Sequence, residues 1–281
     1  MQNALSVDVE DWFQVGAFEK VIARDAWEGI PARVERNTDR VLALFAAAGV
    51  KASFFILGWV AARHPALIRR IAEAGHEVAS HGWDHKRVFT LSRAEFRADL
   101  ERARRAIEDA AGVSPTGYRA PSFSIDTRTP WAHAVLAELG YAYSSSVAPI
   151  AHDHYGWRES PRFAWRPLAD SALIELPVTT VAFAGRRFAA GGGGFFRLLP
   201  YALSSWAIGH VNEAEARPAI FYFHPWEVDP DQPRVADAPV RSKLRHYTNL
   251  EAMEGKLLKL LRDHRWGRTD EVAAAEQARL Q

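Results

Sequence analysis

Short apolar runs alternate with amphipathic stretches from the start of the chain. Residues 4–8 (ALSVD) form a β-rich run that ends in acidic residues rather than in a turn, which predicts a buried strand delivering carboxylates at its C-terminal end. Residues 31–48 place Val34, Val41, Leu42 and Phe45 on one helical face, with Pro31 at the start and Gly49 where a helix-ending glycine belongs. A second strand is expected at 51–57 (KASFFIL), a helix at 65–74 closed by Gly75, and a third strand at 77–80 that runs into His81. Ser92 with Glu95 makes a capping box ahead of a helix whose Phe96, Leu100, Ala103 and Ile107 share a face. Further strands are expected at 117–119, 141–145, 173–177 and 219–223, and helices near 130–139, 198–213 and 249–263.

Repeated strand–helix units predict a parallel sheet flanked by helices. The glycine pattern of a dinucleotide site is missing after the first strand, which favours a barrel over an open doubly wound sheet. Residues 191–194 are four glycines without the lysine and Ser/Thr of a phosphate-binding loop, and they read as a flexible loop only.

Composition narrows the chemistry. Lys plus Arg number 35 against 34 for Asp plus Glu, so net charge gives no pull toward nucleic acid or an acidic membrane surface. Cysteine is absent, which excludes thiolate metal sites and a Cys nucleophile; a metal would have to be held by His, Asp or Glu. The first residues lack the basic start and apolar stretch of a signal peptide, and no run of about 18 apolar residues follows. A soluble cytoplasmic enzyme, or one at the inner face of the membrane, is therefore expected.

In a parallel α/β barrel, functional groups gather at the C-terminal ends of strands. Here those ends carry Asp8, Glu10 and Asp11, then His81 and His85, then Arg119, then His224. Two imidazoles four residues apart, on a helical turn or a tight loop, can both reach one divalent ion, and a carboxylate from the first strand would complete a His, His, carboxylate set with open positions for water.

Several segments, in order along the chain, resemble the polysaccharide deacetylases of carbohydrate esterase family four. SVDVEDW at 6–12 is similar to the family's first motif and His81-Gly-Trp-Asp-His85 to its metal motif. Arg119-Ala-Pro121-Ser-Phe123 is similar to its Arg-x-Pro motif and Phe223-His224 to its last histidine, with KASFFILG at 51–58 and Ile174-Glu-Leu-Pro177 alongside. The tail, HPWEVDPDQPR and RHYTNLEAM, resembles a branch found with bacterial exopolysaccharide export systems.

The resemblance implies a distorted (β/α) barrel of about seven parallel strands, as one catalytic domain over 1–281 with a C-terminal extension from about 228. It implies a metal-dependent hydrolase that removes N-acetyl groups from amino sugars of a bacterial polysaccharide or oligosaccharide. In that reading Asp8 is the general base, His81 and His85 hold zinc, or cobalt or nickel, Arg119 orients Asp8, and His224 protonates the departing amine. Val9 stands where the family has a second aspartate. The metal carboxylate is then Glu10, which shares a strand face with Asp8, or Asp11 if the strand ends early. The aspartate that relatives use to tune the last histidine is not recognisable around Tyr143–Ser146. Trp12, Trp83, Phe123 and Trp226, with Phe13 nearby, are the candidates for stacking on sugar rings, and Pro121 is a further substrate-binding candidate. An allantoinase-like hydrolase of a non-glycan amide and an inactive glycan-binding protein are the competing readings.

Overall fold

The computed structural model describes residues 1–151 and 156–281. Strand β1 (Asn3–Val9) is buried along its whole length, as a strand covered on both faces must be. Alternation divides its side chains: Leu5, Val7 and Val9 join the largest apolar cluster, while Ala4, Ser6 and Asp8 face the other way, into the concave side of the sheet.

Helix α1 (Val34–Ala48) packs Val34, Val41 and Phe45 into that same cluster and ends at Gly49, whose φ of 65° suits a residue without a Cβ. Then follow β2 (Ser53–Ile56), α2 (Gly58–Arg63), α3 (Pro65–Glu73), β3 (Glu77–Ser80) and α4 (Arg93–Ala111). The Ser92/Glu95 capping box opens α4 as expected, and Phe96, Leu100, Ala103 and Ile107 are its buried face. Burying each of the large ones stabilises by about 1.5–3 kcal/mol. The chain continues through β4 (Gly117–Tyr118), α5 (Ala132–Glu138), β5 (Tyr143–Ser144) and β6 (Ile174–Glu175). An antiparallel hairpin follows, β7 (Thr180–Phe183) with β8 (Arg186–Ala189), then α6 (Gly193–Leu198), α7 (Tyr201–Glu213) and β9 (Ile220–Phe223). The last elements are α8 (Val240–Tyr247), α9 (Leu250–Asp263), β10 (Trp266–Gly267) and α10 (Thr269–Arg279).

Seven strands lie parallel in the order β9–β1–β2–β3–β4–β5–β6, the curled half-barrel that the strand–helix alternation and the resemblance imply. Strand β10 pairs with the N-terminal end of β1, so the segment beyond residue 228 returns to the sheet. The register levels the strand ends: Phe223 is opposite Val7, Ile56 opposite Val9 and Ser80, and Ser80 opposite Tyr118. Asp8, Glu10, His81, Arg119 and His224 consequently emerge at one rim.

Two expectations need correction. Residues 191–194 are not simply a flexible loop. The amide of Tyr222 donates to Gly191 O and that of Thr179 to Ile220 O, so this segment bridges the gap between β6 and β9, and Gly193 and Gly194 already belong to α6. A Cβ on Gly191 would lie 2.3 Å from the Ile220 carbonyl oxygen, so this glycine serves close backbone approach. The helix expected over 198–213 is interrupted at Pro200, which separates α6 from α7.

Candidate active site and metal centre

Glu10 follows the last residue of β1, and its amide donates back to Asp8 O. His81 follows β3, and the loop onward to His85 turns tightly, with positive φ at Gly82 (76°) and His85 (60°). Glu10, His81 and His85 each place one ligand atom within 4.8 Å of the others, and all three are buried. His81 Nδ1 is 2.8 Å from Arg119 O; donating its proton there leaves Nε2 with a free lone pair. Glu10 Oε2 is buried 2.9 Å from His85 Nε2, yet receives no hydrogen bond among the described residues. A carboxylate oxygen and an imidazole nitrogen left facing each other in this way, with a second imidazole alongside, suit a divalent cation.

Burial opposes the charge of Glu10, but the imidazoles of His85 and His224 outweigh it and hold the carboxyl at about 2. His81 is pushed down to about 4, first by burial and, against the pull of Asp8, by His85. Both groups are thus in the deprotonated state that metal ligands require.

Asp11 is not part of this cluster. One of its oxygens accepts the amides of Arg33 (2.6 Å) and Val34 (2.9 Å) at the start of α1, and the other accepts its neighbour Trp12 N. It ties the strand end to a helix N-terminus, where a negative charge is favoured, although burial raises its pKa.

Asp8 faces the interior beside Arg119, which is fully buried. The guanidinium donates to Asp8 Oδ1 at 2.6 Å, Ser6 Oγ at 2.8 Å, Ser145 O at 3.1 Å and Ser145 Oγ at 3.0 Å, and its carbon lies 4.0 Å from the Phe55 ring centre. The serines of 144–146, which carry no recognisable acid, therefore hold Arg119 in place: Ser146 Oγ also accepts Ala120 N.

His224 is tuned from another direction. Its Nδ1 is 2.8 Å from Glu227 Oε1, and its Nε2 is 3.4 Å from Glu10 Oε1. Desolvation pulls its pKa down, but Glu10 and then Glu227 raise it to about 9. Glu227 is buried and accepts Arg197 Nε at 2.6 Å; burial would raise its pKa, and Arg197 and His224 bring it below the usual range. Arg197 in turn donates to the carbonyls of His246, Thr248 and Arg245. Glu227 and Arg197 were not foreseen. The signal available was the i, i+3 spacing of His224 and Glu227 just after a strand; nothing local to Arg197 marks it. Gly193 makes the arrangement possible, since a Cβ there would sit 2.3 Å from Glu227 Oε1.

The aromatic candidates, and Pro121 with them, are mostly enclosed. Trp12, Phe13, Pro121, Phe123 and Trp226 are all buried. Trp226 donates Nε1–H to Glu10 Oε1 at 3.3 Å and stacks on His224 (ring centres 5.1 Å apart) and on His246 (4.1 Å). Phe123 packs on Tyr222, and Trp83, half-buried, carries the Arg102 guanidinium 3.6 Å from its ring centre. Tyr222, partly exposed and 5.6 Å from His224 between ring centres, is an aromatic at this rim that the sequence reading passed over.

Such a rim, with a carboxylate–arginine pair, a His, His, carboxylate cluster and a histidine held by a second carboxylate, has the parts for metal-assisted hydrolysis. Residues 25–144 match the family model "Polysaccharide deacetylase", and residues 145–274 match a domain of unknown function, DUF3473. The chain is 39% identical over 72 residues to a peptidoglycan-N-acetylglucosamine deacetylase of Listeria monocytogenes, covering 26% of this chain and 16% of that protein. It is 36% identical over 122 residues to a chitooligosaccharide deacetylase of a Bradyrhizobium strain, covering 43% and 49%. The chain thus spans less than half the length of both relatives. Among solved structures, one from Mycobacterium smegmatis, provisionally assigned as a polysaccharide deacetylase, covers 98% of this chain and 90% of its own at 22% identity, with a TM-score of 0.62.

Proposed function

We infer that this chain, whose residues 25–144 match the polysaccharide deacetylase model, is a metal-dependent hydrolase that releases acetate from N-acetylated amino sugars of a bacterial polysaccharide or its oligosaccharide precursor. The observation that carries this reading is the Glu10, His81, His85 cluster, with its unsatisfied Glu10 Oε2, set beside Asp8.

A divalent ion held by Glu10, His81 and His85 would supply Lewis-acid polarisation of the acetyl carbonyl and of water; two imidazoles and a carboxylate suit zinc, and cobalt or nickel equally. Asp8, oriented through Oδ1 by Arg119, takes the proton of the attacking water as its oxygen bonds to the carbonyl carbon. His224, held through Nδ1 by the Glu227 carboxylate, gives its proton to the nitrogen as the C–N bond breaks, leaving acetate and an amine. Tyr222 and Trp83 are partly exposed aromatic side chains that could meet a sugar ring, whereas Trp12, Phe123 and Trp226 are enclosed.

The test is acetate release from acetylated glucosamine oligomers by purified protein, after chelation and after zinc, cobalt or nickel is returned, with His81→Ala and Asp8→Asn alongside. Release that needs the metal and falls by about 10²–10⁴ in Asp8→Asn supports the reading. Tight metal binding with no release from any amino-sugar oligomer would move the substrate to a non-glycan amide.

A further inference from the structure

The DUF3473-matching half carries a second surface that the chemistry above does not use. Hairpin β7–β8 and helices α6 and α7 enclose an open apolar groove of about 560 Å³, in which Ser204 is the one hydroxyl-bearing side chain among the described residues. Its walls are Phe183, Phe188, Phe195, Leu199, Leu203 and Trp206. These side chains are not buried by one another: Phe183 is 62% exposed, Leu203 52% and Trp206 49%. A pocket for a small ligand encloses most of its guest, whereas this one is an aromatic- and leucine-rich face open to solvent, of the kind a monomeric soluble surface rarely carries without a use.

Its charge says what covers it. From residue 176 to residue 212 there is no Asp or Glu, although the whole chain has 34 in 281 residues, while Arg186, Arg187 and Arg197 are all present. Arg187 is turned toward the carbonyls of Arg158 and Ser160, and Arg197 is taken up by Glu227. Arg186 remains exposed at the hairpin tip, directly paired in register with Phe183 and so on the same face as it. Aromatic rings with an arginine at their edge and no acid for 37 residues fit the interface of an anionic bilayer, where apolar side chains enter the acyl boundary and the cation meets phosphate.

We propose that Phe183, Phe188, Phe195, Leu199, Leu203 and Trp206, with Arg186, form a docking face for an anionic phospholipid membrane. The face reaches toward the catalytic rim through α6, whose first residue, Gly193, lies against Glu227 and whose Phe195 and Phe196 line the groove. A bilayer bound there holds the site close to its surface. The proposal stands whether or not the chain is a deacetylase.

Flotation of the purified full chain with vesicles of phosphatidylcholine alone, or of phosphatidylcholine with 30% phosphatidylglycerol (about one anionic lipid in three), tests it. The protein is expected to float with the anionic vesicles and to lose at least about tenfold in partitioning in the Phe183→Ser/Trp206→Ser variant, whose exposed positions leave the circular dichroism unchanged. Arg186→Glu is expected to cost about fivefold or more on anionic vesicles and little on neutral ones. No flotation of the parent protein, or equal flotation of the folded Phe183→Ser/Trp206→Ser variant, overturns the proposal. So does a concentration-dependent dimer that this variant abolishes without any vesicle binding by the parent, which would assign the face to a second copy of the chain.

Discussion

Asp11 and Glu10 are adjacent acids at the end of one strand, and the structure gives them different work; replacing each separately tests that division. In Asp11→Ala the amides of Arg33 and Val34 at the start of α1 lose their acceptor, as does Trp12 N. A hydrogen bond to an ionised group contributes about 1.5–3 kcal/mol, and loss of a helix-capping acceptor typically costs about 0.5–2 kcal/mol. Against this, burial already disfavours the Asp11 charge, as its raised pKa indicates, and the Arg33 amide is only partly buried. The net expected loss is about 2–4 kcal/mol, or roughly 4–12 °C in Tm for a chain of this size. Glu10→Gln leaves those bonds intact and removes the negative charge facing His81 and His85.

Urea or thermal unfolding without metal, paired with cobalt(II) titration followed by its visible absorption, reads both quantities. Asp11→Ala should unfold earlier while binding cobalt within about twofold of the parent, and Glu10→Gln should lose about 100-fold or more in affinity. The reasoning would be refuted by an Asp11→Ala protein of unchanged stability that has lost the metal, since Asp11 would then be a ligand and the Arg33 and Val34 contacts incidental.

Other outcomes follow from the same geometry. Arg197→Met strands the buried carboxylate of Glu227 and three main-chain carbonyls, so denaturant unfolding should show a loss of about 3–5 kcal/mol, partly recovered when Glu227→Gln is added. Gly191→Ala drives a methyl group into the Ile220 carbonyl and should cost about 1–3 kcal/mol or more, whereas Gly194→Ala, with nothing within 4 Å of the new Cβ, should gain about 0.5 kcal/mol from the first turn of α6. Glu77, bonded by Ser53, Tyr143 and the Asp270 amide, is raised by burial, and then by the charge of Asp270, from 4.5 to about 7. The folded protein holds that proton more tightly than the unfolded chain. Its contribution is therefore complete below about pH 4.5 and lost as pH rises through 7, and Glu77→Gln should flatten the stability profile measured by urea unfolding across that window.

What the sequence made legible was periodic or motif-bound. Phe96, Leu100, Ala103 and Ile107 announce α4 because a buried helix face repeats every three to four residues, and the strand ends announce the rim because ionisable residues interrupt apolar runs there. The deacetylase model matches residues 25–144 and so agrees with the resemblance over that stretch, and the parallel half-barrel bears out the fold. Illegible were contacts made across the chain. Arg197 reaches Glu227 from 30 residues away, and Asp11 reaches Val34 from 23. The glycines at 191–193 looked like slack because a one-dimensional pattern registers missing side chains but not the neighbouring backbone and side chains that take their space. Trp226 looked like a sugar platform because aromaticity near a motif carries no sign of which rings already cover it.

Strand β1 lies between β2, which begins 50 residues after it, and β9, which begins more than 200 residues after it. The two flanks of one strand are therefore completed at very different stages of chain growth. Asp8, Glu10, His81 and Arg119 can assemble on β1 to β4 while the other edge of β1 still offers its main-chain donors and acceptors to any strand that meets it. His224 and its partners close that edge and the rim that carries the candidate site in the same event. In pulse-labelled refolding the amides that β1 and β9 exchange should become protected after those of β2 and β3, and a chain cut short before residue 220 should be an aggregation hazard rather than a smaller enzyme.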